Sequence, residues 1–333
     1  MSSSEPFVLP NGVPTQDQLD QAQARLEGII QASHIEEDRW LSGQLGSQVF
    51  LVQENQQVTG SFKVRGASNA VGYIAERTTL KSIVTTSSGN HGAACAFAAQ
   101  RYGFTCHVVM PDIARESKVK NVLRFGGLPR LVPEAKRQGT VKEIVSSIGA
   151  VEVHPYAAKH VVAGQGTLGL EILGALEGVD LVVAPIGGGG LSAGLSLALS
   201  RRTNIDLLVV EPQLASDAWA LVHGREPDLS RAHESVADGL RSLVGPQNLA
   251  RLLEYGARFS KVSEEQIGLA WERLLKLGYP VEPSASIGVA ALLSDPEIFR
   301  ELSIAVVLTG GNVDWGEDER SDSGEGDAFK EVR

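Results

Sequence analysis

The feature that most limits the fold is an apolar strand followed almost at once by four glycines. Leu181-Val182-Val183-Ala184 is continuous in Val and Leu, and Gly187-Gly188-Gly189-Gly190 opens a helical stretch from Leu191 to Ser200. A strand with so little alternation needs cover on both faces, which is the habit of parallel sheets built from strand–helix–strand units. Successive glycine N–H groups ahead of a helix make a concave anion site, suited to a phosphate monoester. The spacing is neither GxGxxG nor GxxxxGK[ST], so it does not support a dinucleotide or a nucleoside triphosphate.

The same rhythm fills the middle of the chain. Strands are predicted at 82–86, 106–110 and 129–132, with helices over 90–102, 116–125 and 139–147. A second series gives a helix at 164–176, the strand at 181–184, a helix at 191–200 and a strand at 206–210. A helix over 15–33 and a strand at 49–52 come before these units. Helices at 264–277 and 285–293 and a buried strand at 304–308 come after them.

Residues 1–14 read as a loose lead-in, and 224–262 have mixed character. The segment after Trp315, GEDERSDSGEGDAFKEVR, is acidic and rich in Gly and Ser, so disorder is expected over 316–333. The chain of 333 residues is long enough for two domains. The predicted division places 83–160 as a small domain inserted into a larger one made from 1–82 and 161–315.

Several partners are excluded on charge and pattern. A net charge of −10 without a basic stripe argues against nucleic acid. No run reaches the roughly 18 apolar residues that span a bilayer, and the amino end lacks a basic segment followed by an apolar one. Cys95 and Cys106 lie in apolar stretches and form no CxxC pair, which points to a reducing compartment and a cytoplasmic, soluble protein.

The chemistry centres on Thr59-Gly60-Ser61-Phe62-Lys63-Val64-Arg65-Gly66. An amine placed after a Gly-Ser turn, where a helix opens, can be held rigidly enough to form a Schiff base with an aldehyde cofactor. Ser87-Ser88-Gly89-Asn90-His91-Gly92 lies at another strand-to-helix junction, where sheets of this kind place ligands. Its backbone N–H groups and the side chains of Ser87, Asn90 and His91 suit a substrate carboxylate. Thr309-Gly310-Gly311-Asn312 ends the last strand and offers a hydroxyl to a neutral ring nitrogen. Glu211 and Asp217 have a spacing that could serve a hard cation, although two acids in a loop are usually just solvated. An amine, a phosphate cradle and a hydroxyl for a heteroaromatic ring together describe pyridoxal phosphate.

The run from Glu54 to Ala67, with SSGNHG, Ala163-Gly164-Gln165-Gly166-Thr167, GGGGLSAG and TGGN, resembles the fold-type II pyridoxal-phosphate enzymes. Within them the chain is similar to the serine/threonine dehydratase and serine racemase group, over about residues 15–315. The resemblance implies an α/β fold of two open parallel-sheet domains, of the tryptophan synthase beta-like type, and a homodimer. It implies Lys63 as the Schiff-base lysine, Phe62 beside the ring and Asn90 at the cofactor 3′-oxygen. It implies Gly187, Gly188, Gly189, Gly190 and Leu191 around the phosphate, and Thr309 at the pyridine nitrogen. Ser87, Asn90 and His91 are implied for the substrate carboxylate. Ser88 would be a base on the face opposite Lys63, as in the racemases.

Glu211, Ala215 and Asp217 match that family's divalent-metal loop, implying Mg2+, with Mn2+ or Ca2+ as alternatives. Departures from the pattern include Ala93 where glutamine is usual, Phe125 at a tyrosine of the site rim and Ser286 where glycine is usual. The expected reaction is β-elimination from L-serine or L-threonine, with Lys63 as the general base, giving a 2-oxo acid and ammonia. The alternatives are serine racemisation, elimination from 3-hydroxyaspartate with Lys136 or Arg137 meeting the extra carboxylate, and, least favoured, a non-catalytic cofactor-binding module.

Overall fold

The computed structural model describes residues 7–313, so the acidic tail expected at 316–333 lies outside the described residues. From the amino end come α1 (Gln16–Leu26), β1 (His34–Glu37), α2 (Arg39–Leu45), β2 (Gln48–Gln53) and α3 (Lys63–Arg77). The chain then alternates through β3 (Ser82–Thr86), α4 (Asn90–Tyr102), β4 (Thr105–Pro111), α5 (Glu116–Arg124), β5 (Leu128–Val132), α6 (Arg137–Ile148) and β6 (Val151–Glu152). Next are α7 (Lys159–Ala175), β7 (Leu181–Pro185), α8 (Gly190–Leu199), β8 (Asp206–Pro212) and α9 (Asp217–Val222). The last elements are α10 (Pro246–Tyr255), β9 (Arg258–Val262), α11 (Glu264–Lys276), α12 (Pro283–Ser294) and β10 (Ser303–Leu308).

The strands form two sheets, one ordered β1-β2-β10-β7-β8-β9 and the other β5-β4-β3-β6. The α/β class with parallel sheets expected from the sequence is the architecture found. One pairing differs: β1 runs antiparallel to β2, as the outer strand beyond it. Its sequence, His-Ile-Glu-Glu, is exposed or half-buried throughout, so it carries no apolar alternation to announce a strand. The amino-terminal helix also stops at Leu26 rather than near 33, because Gly28 takes the left-handed conformation that breaks a helix.

Burial follows the strand period. In the larger sheet Leu181 and Val183 face one core, shared with α11 and α12, while Val182 and Ala184 face a second, shared with α7 and α8. The helix carrying Lys63 is docked by the Ala163–Thr167 motif. A Cβ at Gly164 would sit 2.5 Å from the Arg65 carbonyl oxygen, so only glycine lets α7 approach α3 this closely. Among the described residues no helix is long and apolar enough to cross a membrane.

Strand order tells where a ligand belongs. In the larger sheet the chain moves outward from β7 through β8 to β9, while β10 returns on the other side of β7. In the smaller sheet β3 leads to β4 and β5 on one side and has β6 on the other. Ligands bind at the carboxyl ends of strands where the order reverses. These two reversals place the Gly187–Gly190 loop beside Thr309, and the Ser87–Asn90 loop beside Val153 and His154.

Candidate active site

Every cofactor- and substrate-binding residue expected from the sequence, from Phe62 to Thr309, lines one cavity of about 830 Å3. Lys63 is the first residue of α3, and the turn before it is sewn to the end of β10. Phe62 N–H donates to the Thr309 carbonyl at 3.1 Å, and Gly311 N–H to the Gly60 carbonyl at 3.0 Å. Lys63 Nζ lies 4.8 Å from the centre of the Phe62 ring and has no hydrogen-bond partner among the described residues. Burial pushes its amine down to about 8, against the opposing pull of Glu282 and Cys95.

Behind Lys63 the first turn of α3 is anchored by charge. Arg65 has no exposed surface and donates to Glu54, Glu171 and Ser33, each at 2.7 Å. Such a pair holds position when both partners stay in place.

The Ser87–His91 loop is curled by its own hydrogen bonds. Ser87 Oγ accepts from the N–H of Gly89 at 3.0 Å and of Gly92 at 2.9 Å, so this hydroxyl shapes the loop. His91 Nε2 donates to the Val153 carbonyl at 3.1 Å, which makes Nδ1 the bare nitrogen, buried and without a partner among the described residues. Burial, with Lys63 adding, pushes His91 down to about 3, so the ring is neutral. Asn90 donates to Glu282 and accepts from Asn312. Ser88 is exposed on the cavity wall and carries no hydrogen bond among the described residues. The N–H groups of Asn90 and His91 open α4 and have no intrahelical acceptor.

The glycine loop is crowded on every side. A Cβ at Gly188 would run into the Tyr156 ring; at Gly190 it would lie 3.0 Å from Tyr156 Cα, and at Gly187 3.1 Å from Leu240 Cα. Gly189 has φ of +81°, the left-handed region. Together with the unpartnered Lys63 amine and the Thr309 hydroxyl, this cradle fits an aldehyde-bearing phosphate monoester with a ring between.

Glu211, near the end of β8, Ala215, in the turn after it, and Asp217, which opens α9, lie off the cavity. Glu211 accepts from the N–H of Ala218 at 3.0 Å and Trp219 at 2.7 Å, and Asp217 from that of Val244 at 2.8 Å. Burial, helped by the neighbouring Asp217, pushes Glu211 up to about 8, and Asp217 is raised too, chiefly by burial. Two adjacent buried acids held above their usual range fit a hard cation that would supply the missing charge. No third acid, histidine or cysteine joins them among the described residues.

Sequence reasoning missed Glu282, a buried acid on the cavity wall. Burial pushes it up to about 7, with Asn90 opposing and Asp238 adding to the shift. It precedes Pro283 at the start of α12, where an acid reads simply as a favourable helix terminus. Lys118 on α5 pairs with Asp238 across the mouth of the same cavity, and nothing in local spacing announces that contact.

A family model described as "Pyridoxal-phosphate dependent enzyme" matches residues 28–310. A β-hydroxyaspartate dehydratase of Paracoccus denitrificans is 34% identical over 306 residues, covering 91% of this chain and 97% of that protein. An L-threonine ammonia-lyase of Thermotoga maritima is 32% identical, covering 90% of this chain and 76% of the relative. Among solved structures, maize serine racemase superposes with a TM-score of 0.86 at 32% identity, over 93% of this chain and 97% of the other.

Proposed function

We propose, since this chain belongs to the family of pyridoxal-phosphate dependent enzymes, that it eliminates the β-hydroxyl of a hydroxy amino acid, yielding a 2-oxo acid and ammonia. The observation that carries this reading is the Lys63 amine, unpartnered, with its pKa near 8, at a cavity that also holds a phosphate cradle. Bound there, pyridoxal phosphate supplies an aldehyde that links to an amine and a ring that withdraws electrons from the neighbouring carbon.

Lys63 is the linking amine, with Phe62 beside the ring, Gly187–Gly190 and Leu191 at the phosphate, Asn90 at the 3′-oxygen and Thr309 at the ring nitrogen. Once the substrate amine has released it from the cofactor, Lys63 Nζ would take the substrate α-proton, and a pKa near 8 leaves a useful neutral fraction at neutral pH. Thr309, a hydroxyl rather than a carboxylate, leaves the ring nitrogen unprotonated. Elimination suits that arrangement because charge departs with the β-hydroxyl. The N–H groups of Asn90 and His91 are the free donors for the substrate carboxylate. Glu211, Asp217 and the Ala215 carbonyl are the ligands for a divalent cation such as Mg2+.

L-Serine and L-threonine are the first substrates to consider. Racemisation remains the rival, with Ser88 on the second face, and the likeness to maize serine racemase supports it. Arg137 favours a third substrate, 3-hydroxyaspartate. Its Nε is buried without a partner among the described residues and the side chain lines the cavity, whereas Lys136 is exposed and lies off the cavity wall. The guanidinium is otherwise paired with the exposed Glu134, at 2.8 Å through Nη1; a cation there suits the β-carboxylate, and the likeness to the Paracoccus dehydratase supports that choice.

The test is 2-oxo acid release by the purified protein with pyridoxal phosphate and Mg2+. The panel is L-serine, D-serine, L-threonine and the 3-hydroxyaspartates, with Lys63→Ala alongside. Release from one substrate, lost in Lys63→Ala together with the visible absorbance of bound cofactor, supports the reading. Release from none, or survival of either signal in the variant, overturns it.

A further inference from the structure

Asn248, on the first turn of α10, reaches the back of the glycine loop. It is 2% exposed, and one nitrogen of its side chain serves two backbone carbonyls. Asn248 Nδ2 donates to the Gly188 oxygen at 2.8 Å and to the Tyr156 oxygen at 2.9 Å. Gly188 O also accepts from Gly245 N–H at 3.1 Å, so both of its lone pairs are engaged from the α10 side. In a trans peptide the carbonyl and the next N–H point in opposite directions. Fixing Gly188 O toward α10 therefore turns the Gly189 N–H the other way, away from α10. Gly187–Gly190 line the cavity on that side.

The second carbonyl matters as much. Tyr156 belongs to the segment that leaves the four-stranded sheet after β6 and enters α7, and its ring lies against Gly188. One amide thus holds the loop and the ring that backs it in a single arrangement. Alanine or leucine has no donor, and aspartate would turn acceptors toward two carbonyl oxygens.

We propose that Asn248 is a positioning residue for a phosphate monoester at Gly187–Gly190, acting by fixing the direction of the loop N–H groups and the seat of Tyr156. The inference rests on reading the cavity as a pyridoxal-phosphate site. It assigns Asn248 a part in recognising the phosphate only, because none of its hydrogen bonds reaches Lys63 or Thr309.

The experiment compares pyridoxal phosphate with pyridoxal, which lacks the phosphate, as ligands of the full chain stripped of cofactor. Binding is followed by visible absorbance in the unaltered protein, Asn248→Ala and Asn248→Asp. Stabilisation by inorganic phosphate alone is followed by melting temperature. The expected result is a loss of about tenfold or more in affinity for pyridoxal phosphate, equivalent to about 1.4 kcal/mol, with pyridoxal affinity changed less than about twofold. The melting shift from inorganic phosphate should shrink in step. Asn248→Asp is close in size to asparagine and stands in if Asn248→Ala does not fold.

Equal weakening of both ligands would make Asn248 a plain structural residue and overturn the proposal, as would an unchanged ratio in either folded variant. If the unaltered protein itself bound pyridoxal as tightly as its phosphate, the phosphate reading of the loop would fall first.

Discussion

Asn90 and Glu282 face each other through a paired contact, with Asn90 Nδ2 lying 3.0 Å and 3.1 Å from the two carboxylate oxygens. Asn312 Nδ2 donates to the other end of the same amide, Asn90 Oδ1, at 2.9 Å, and to the Thr59 carbonyl at 2.9 Å. The rotation of Asn90 is therefore set by an acid on one side and an amide on the other. The acid's proton becomes part of the site's geometry.

That proton has a measurable signature. The folded protein holds it up to about 7, where an unfolded chain releases it near 4.5. The stabilising contribution is full below the unfolded value and fades as pH rises toward 7. Glu282→Gln has no such proton to lose. Its melting temperature, compared with that of the unaltered protein and both free of cofactor, should be relatively higher at pH 8 than at pH 5. A pH-independent difference would mean that Glu282 titrates as an ordinary acid.

Ser88 separates two chemistries. Its hydroxyl is free and exposed in the cavity, so Ser88→Ala should leave elimination from L-serine within a few-fold. Any D-serine formation should fall by about a hundredfold, the scale of a lost general base. Chiral chromatography of the residual serine gives the answer, and D-serine formed at the original rate removes Ser88 from proton transfer.

Arg65 tests the anchor beneath Lys63. Glu54→Ala would leave a fully buried guanidinium with Glu171 as its remaining counter-charge, at a cost of about 3 kcal/mol in unfolding free energy. Urea denaturation measures it. A change below about 1 kcal/mol would show that water enters and takes the place of Glu54.

The Glu211–Asp217 pair should bind a cation in competition with protons. Because Glu211 keeps its proton up to about 8, Mg2+ should raise the melting temperature more at pH 8.5 than at pH 6. Asp217→Asn should remove that shift. An equal Mg2+ effect at both pH values, or one that persists in the variant, would place the cation elsewhere.

What could be read from sequence alone follows from range. The strands at 82–86, 181–185 and 303–308 declare themselves because a strand covered on both faces is apolar at consecutive positions. Lys63, the glycine loop and the Thr309 turn are local patterns at strand and helix ends, and they were legible for the same reason. β1 and β9, with sequences HIEE and RFSKV, are outer strands whose charged residues are exposed or half-buried, so neither shows an apolar period. Glu282, Asn248 and Lys118 escaped notice because each acts on a residue far away in sequence. Glu282 meets Asn90 across 192 positions, Asn248 meets Gly188 across 60, and Lys118 meets Asp238 across 120.

The placement of β10 has a consequence for how the molecule is made. β10, the last strand among the described residues, lies between β2 and β7, and its end holds the Lys63 turn through Thr309, Gly310 and Gly311. On a ribosome, the larger sheet stays split into two edges until Leu308 has emerged. Long-range parallel pairing of that kind is slow and leaves strand edges open to other chains in the interval. Lys63, synthesised long before β10, gains its setting only when that strand has emerged, so a chain cut short before Ser303 has neither a closed sheet nor an assembled site.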